Sequence, residues 1–239
     1  FGIGKAAAYE LYRLGCTVVV TSRSLKRAQL AAAWMEAQVG TEGALGVVEP
    51  HELDLSDLDD VRRFAKSFLS THSRLDYLSE NAGMGPLVAW KGPWLSKQGY
   101  EILYASNYLG HFLLLNLLLP LLQKSNGVVA ATSSIMHWNH DNGMEQLVGL
   151  VPQQQRKSNE ASSVVALLRQ YGNTKLLQVL MCFELQRRHP GIPCTPVAPG
   201  FISTAIGVQD VEMREAVNQF IPFAKNATQG ALTTLHALL

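Results

Sequence analysis

Cysteine is scarce in this 239-residue chain: only Cys16, Cys182 and Cys194 are present, an odd number set far apart in apolar runs. That pattern offers no disulfide framework, and the three thiols read as reduced core residues of an intracellular, cytoplasmic protein. An excess of charge of one sign is lacking as well, since 20 Lys and Arg stand against 19 Asp and Glu for a net charge of +1. Their scatter gives no electrostatic footprint for nucleic acid or an anionic membrane, and a small neutral substrate fits better. Long hydrophobic runs are also missing. The most apolar one, 108–122, is short for a membrane span, carries His111, Asn116 and Pro120, and reads as a buried helix. There are no repeats or low-complexity tracts. Against these absences, 47% hydrophobic and 16% charged residues support a sizeable buried core, and the length suits one α/β domain rather than two.

Helical and strand patterns alternate from the start, the signature of βαβ units and a largely parallel sheet. Residues 5–14 predict a helix stopped at Gly15, and the β-branched run 17–21 a strand buried on both faces. Ser24 is placed to cap a helix reaching 38. A strand follows over 47–55, and its Pro50 suits a sheet edge. After Ser56, the spacing of Val61, Phe64, Ala65 and Phe68 predicts a core-facing helix. Further on come a strand at 75–78, a helix over 100–123, the turn Asn126-Gly127, a strand over 128–132, a helix over 171–188 and a last strand at 193–198. The polar, Gln-rich stretch 139–163 has little periodicity and reads as an insertion loop.

Three short motifs carry chemistry. Gly2-Ile3-Gly4 runs directly into an Ala-rich helix, where glycine lets backbone approach an anion at the positive helix N-terminus; glycines before a helix also occur in ordinary turns. Tyr171 and Lys175 lie one helical turn apart on one face, a pairing that also arises by chance and so needs context. Ser133-Ser134, at the end of a predicted core strand, supplies it.

Taken in order, these motifs resemble the short-chain dehydrogenase/reductase family over essentially the whole chain. Gly2-Ile3-Gly4 matches the tail of its glycine loop, Asp54 with Leu55 its adenine side, and Asn81-Ala82-Gly83 its Asn-Ala-Gly turn. Asn107 falls at its helix asparagine, Ser134 at its serine and Tyr171 with Lys175 at its Tyr-x-x-x-Lys pair. Pro199-Gly200, Ile202 and Thr204 fall at its nicotinamide-side loop. There are two departures: Glu80 stands where an asparagine usually precedes Asn81, and the gap from Ser134 to Tyr171 is longer than in most relatives. The resemblance implies a Rossmann-type doubly wound parallel sheet in a single domain. It also implies that a central strand before Phe1 and a final strand after Leu239 complete that sheet.

By the same resemblance, Tyr171 exchanges a proton with the substrate oxygen, Ser134 polarises that oxygen, and Lys175 stabilises the phenolate and holds the nicotinamide ribose. Asn107 supports a water leading from Lys175 to solvent. After the second strand of such a sheet, an NAD enzyme carries an acid for the ribose 2′-hydroxyl. Here Ser22-Arg23 stands instead, which favours NADP(H) over NAD(H) through charge-assisted bonds to a 2′-phosphate, with Lys26 nearby. Arg23 can also be read as a solvated loop cation. Met84, Met136, Trp138 and Phe201 flank the motifs and suggest an apolar wall for a ketone or secondary alcohol. The rival reading is a non-catalytic nucleotide-binding regulatory protein on the same fold. His137 and His140 lack a third ligand of diagnostic spacing, so no metal is expected. Asn226-Ala-Thr228 reads as a helix cap rather than a glycan site. The apolar helices near Phe112 and Leu180 suggest a homodimer or homotetramer.

Overall fold

The computed structural model describes residues 2–39, 46–86, 94–141, 164–202 and 224–239. Its elements in chain order are α1 (Ile3–Arg13), β1 (Thr17–Ser22), α2 (Leu25–Val39), β2 (Val47–Glu52), α3 (Leu58–Thr71) and β3 (Tyr77–Glu80). They continue with α4 (Ile102–Ser125), β4 (Val128–Thr132), a 3₁₀ turn (Ile135–Trp138), α5 (Val164–Arg188), β5 (Cys194–Val197) and α6 (Ala227–Leu238). Every strand pair is parallel, β1 with β2 and β4 between β3 and β5. Parallel pairs need long crossovers, and the intervening helices provide them.

β4 has both faces covered. Val129 and Ala131 pack against Leu115 and Leu122 of α4 and Met181 and Cys182 of α5, while Val128 and Ala130 pack against Ala7 and Leu11 of α1 and Ala231 and Leu235 of α6. A strand buried on both sides reads as an unbroken apolar run, and for this reason its predicted bounds coincide with the observed ones. α3 meets α4 as its periodicity predicts, with Val61, Phe64 and Phe68 against Leu114, Leu118 and Leu121.

Several bounds differ from the sequence reading. β2 stops at Glu52, and Pro50 sits in it without loss because β2 pairs only with β1 among the described residues. β3 starts two residues late because the Leu75 N–H donates to Ser125 Oγ at 2.9 Å and is lost to the ladder. Asp57 caps α3, its side chain accepting from Asp59 N–H. Asn226 does cap α6, in a reciprocal pair with Gln229. α4 carries a π-helical turn at Ala105–Leu109, where the Gly110 N–H bonds Ala105 O five residues back. By length and composition Ile102–Ser125 is apolar enough to cross a bilayer, which the shorter run read from sequence was not, and 56% of that window is buried in the protein. Most of 139–163 lies outside the described residues.

β1 and β3, which do not pair with each other among the described residues, both contribute to the lining of one cleft. The cleft extends to the loops at the carboxyl ends of the strands, where ligands of open α/β sheets bind.

Candidate active site

Five strands end at this edge and each delivers a predicted residue. Ser22 and Arg23 end β1, Asp54 and Leu55 follow β2, Asn81, Ala82 and Gly83 follow β3, Ser134 follows β4, and Pro199 and Gly200 follow β5. All of them line the cleft, together with Gly2, Ile3, Gly4, Tyr171, Lys175 and Ile202. Asn107 stands behind the wall, fully buried. Thr204 lies outside the described residues.

Ser134 leaves β4 in an extended conformation, and its Oγ accepts the Met136 N–H, turning the chain into the 3₁₀ segment. That orients the hydroxyl toward α5, where it hydrogen-bonds Tyr171. Burial pushes the Tyr171 phenol up to about 12, with the Ser134 bond opposing. In this structure the phenol is therefore held protonated, whereas the sequence reading had Lys175 lowering it. Lys175 Nζ lies 5.5 Å from the Tyr171 ring centroid. It donates to Thr132 O at 2.6 Å and Gln178 Oε1 at 2.9 Å, and burial alone pulls its ammonium down to about 7. The backbone of α5 is fastened to β4 at the same level, through Ser133 Oγ to Lys175 O at 2.7 Å. Gln178 was not singled out from sequence, although it sits at i+3 from Lys175, and Ser133 was named only as the neighbour of Ser134.

Asn107 is placed by the π-turn so that its amide clamps one residue twice, accepting from Met84 N–H at 2.7 Å and donating to Met84 O at 2.9 Å. A Cβ on Gly83 would lie 3.4 Å from Asn107 Oδ1 and 3.8 Å from Lys175 Nζ, so the turn after β3 brings both side chains to one point. Of the expected apolar wall, Met84 lines the cleft and packs beside Tyr171, whereas Trp138 and Phe201 are exposed and are not among the residues lining it. His137 and His140 are turned to backbone, their Nδ1 atoms bonding Ser134 O and Asp141 O.

On the nucleotide side, Gly2 takes φ 83° and no side chain caps α1 among the described residues, leaving first-turn N–H groups toward the cleft. A Cβ at Gly4 would meet Asn81 Nδ2 at 2.5 Å, so the helix start lies directly against the Asn81 side chain of the turn after β3, which would have to shift for a larger residue. An uncapped helix N-terminus with backbone this accessible fits a pyrophosphate. Asp54 is partly engaged, its Oδ1 accepting from the Ser56 N–H and hydroxyl.

Unpaired buried polar atoms gather at the same edge. Among the described residues, both oxygens of Glu80, Nδ1 of His111, Oγ1 of Thr132 and Nε2 of Gln178 have no partner, and Oγ1 of Thr234 on α6 is a further such atom. Glu80 is 1% exposed, and burial pushes its carboxyl from 4.5 up to about 8. Folding therefore binds a proton between those values, so this group's contribution to stability falls as pH rises from 4.5 through 8. Lys175 has the opposite sign: its cost is present below 7 and eases toward 10.5. Comparing Glu80→Gln with the wild type at each pH cancels the Lys175 effect. The variant should match the wild type near pH 5 and exceed it near pH 9 by up to ~5 kcal/mol. Thermal melting at the two pH values checks this, and a gap independent of pH would contradict it.

The fold and this edge define a doubly wound α/β protein with a Ser–Tyr–Lys cluster at the carboxyl ends of its strands. A family model described as short chain dehydrogenase matches residues 1–145. Retinol dehydrogenase 12 of Mus musculus is 33% identical over 241 residues, covering 100% of this chain and 70% of that protein. Among solved structures, an uncharacterised protein from Mycobacterium paratuberculosis superposes with a TM-score of 0.67 at 30% identity, covering 100% of this chain and 72% of that one. A metagenomic short-chain oxidoreductase in complex with NADP gives a TM-score of 0.57 at 25% identity, covering 94% of this chain and 88% of that one. The chain belongs to the short-chain dehydrogenase/reductase family of oxidoreductases.

Proposed function

We propose that residues 1–239 form a single NADP(H)-dependent oxidoreductase domain that interconverts a ketone and a secondary alcohol, working as a ketoreductase on an apolar small molecule. The observation that carries this reading is the meeting of Ser134, Tyr171 and Lys175 on the rim of the cleft that also holds the glycine start of α1 and Arg23. When bound in this cleft, a nicotinamide would supply or accept the hydride. Tyr171, protonated at neutral pH, donates its proton to the carbonyl oxygen. Ser134 hydrogen-bonds the same oxygen and gains strength as negative charge develops there. Lys175, poised near 7, exchanges protons readily at neutral pH and steadies the charge left on Tyr171. Asn107 fixes the turn that closes over Lys175. Met84, which lines the cleft and packs beside Tyr171, favours an apolar substrate.

NADP(H) over NAD(H) rests on Arg23, exposed at the end of β1 beside Ser22 and Arg27, with no acid at that point. Arg23→Ala should weaken NADPH binding by ~1.5–3 kcal/mol, the scale of a hydrogen bond to a charged group, and leave NADH nearly unchanged. Fluorescence titration with both nucleotides tests it, and equal losses would remove the assignment.

Homodimers or homotetramers are part of the same proposal. α4 and α5 pack through Tyr104 and Leu177, yet Phe112, Leu180 and Phe183 are left 42%, 43% and 58% exposed. Tyr100, just before α4, and Tyr104, Tyr108 and Phe112 along it form a ladder with centroids 5.6 to 6.3 Å apart. Pairing these helices across a two-fold axis buries that face. Light scattering at micromolar concentration should give a multiple of the chain mass, and a monomer would count against it.

A further inference from the structure

A histidine on α4 has no place in the chemistry above, and its surroundings are unusual. His111 lies four residues after Asn107, hence on the same helical face, and is 3% exposed. Its Nε2 is 2.8 Å from Ala82 O. A carbonyl only accepts, so Nε2 carries the proton and donates, leaving Nδ1 as a buried lone pair with no partner among the described residues. Burial pulls the ring down to about 4, with the Ala82 bond opposing and the nearby Lys175 charge adding to the drop, so the ring is neutral throughout the physiological range. The flanking helix contributes leucines such as Leu114 and Leu115 to the core, and a leucine here would avoid the unpaired nitrogen. The imidazole makes a single hydrogen bond, to Ala82 O.

That bond ends on the turn between the two halves of the site. Asn81 abuts Gly4 at the start of α1, Gly83 faces Lys175 Nζ, and Ala82 joins them. Asn107 pins the far side at Met84, and His111 pins the middle. We propose that His111 is a positioning residue whose Nε2–H holds the Ala82 carbonyl and so fixes the Asn81–Ala82–Gly83 turn in the position that a bound dinucleotide requires. The proposal rests on the dinucleotide reading given above, and it assigns His111 no proton transfer.

The test uses His111→Leu, which removes the donor at similar volume, and His111→Gln, whose amide N–H can reach the same carbonyl. Amide exchange of a peptide spanning 81–84, followed on the protein without nucleotide, should speed up about 10-fold in the leucine variant and stay near wild type in the glutamine variant. The NADPH dissociation constant should rise about 10-fold in the leucine variant and stay within about 3-fold of wild type in the glutamine variant. Should the leucine variant fail to fold, His111→Met is compared with His111→Gln in the same way. Unchanged exchange, equal losses in both variants, or faster exchange with unchanged NADPH affinity would each overturn the proposal. A wild type that binds neither NADPH nor NADH would instead sink the dinucleotide reading, and the exchange comparison would still decide whether His111 holds the turn.

Discussion

Replacing Tyr171 by phenylalanine should reduce turnover ~100-fold or more, the scale for deleting a positioned acid or base, while melting temperature and NADPH affinity remain close to wild type. The change removes one hydroxyl. Its ring packs beside Ile102, Leu103, Met84 and Leu167, contacts that phenylalanine keeps. What is lost is the bond to Ser134 and the only proton in that ring able to reach a substrate oxygen. Because burial already holds the phenol protonated, the wild type should reduce carbonyls across neutral pH without the rate falling as Tyr171 ionises. Steady-state kinetics on a verified substrate, with nucleotide titration alongside, separates chemistry from binding. Wild-type turnover in Tyr171→Phe would refute the mechanism even with the fold intact.

Lys175→Ala should be more damaging, toward the ~10⁴-fold end of the range for such groups, and should weaken nucleotide binding as well. The ammonium is 2% exposed and bridges Thr132 O and Gln178 Oε1, so its removal strands two buried acceptors and opens a cavity between β4 and α5. Lys175→Met fills the cavity without restoring the charge, and serves as the control for packing. Both variants should lose turnover, and the methionine variant should recover most of the melting temperature. If methionine restored activity, Lys175 would be a packing residue and its charge would play no part.

The two variants also mark what the sequence could and could not reveal. Tyr171 and Lys175 were legible because one helical turn sets their spacing, and Ser134 because it ends a strand whose apolar run, Val128–Thr132, is buried on both faces. Local pattern fails where a distant group takes over a backbone atom. β3 is displaced by two residues because Ser125, fifty positions away, captures the Leu75 N–H. The π-turn at Ala105–Leu109, which aims Asn107 at Met84, has no signature in hydrophobic spacing. Glu80 and His111 were equally opaque: one read as a local departure from the family turn, the other as an interruption in an apolar helix. Their significance comes from burial, which only the assembled layers create, and which shifts one carboxyl up to about 8 and one imidazole down to about 4.

Consumption of NADPH in the presence of a panel of apolar ketones, followed by absorbance with wild type and Tyr171→Phe in parallel, tests the central claim most directly. The expected result is oxidation of NADPH coupled to stoichiometric formation of a secondary alcohol by the wild type, with the Tyr171→Phe rate lower by ~100-fold or more. NADPH that binds tightly but is not consumed with any ketone, or consumed equally by both proteins, would contradict the claim and favour a nucleotide-binding regulatory protein on the same fold.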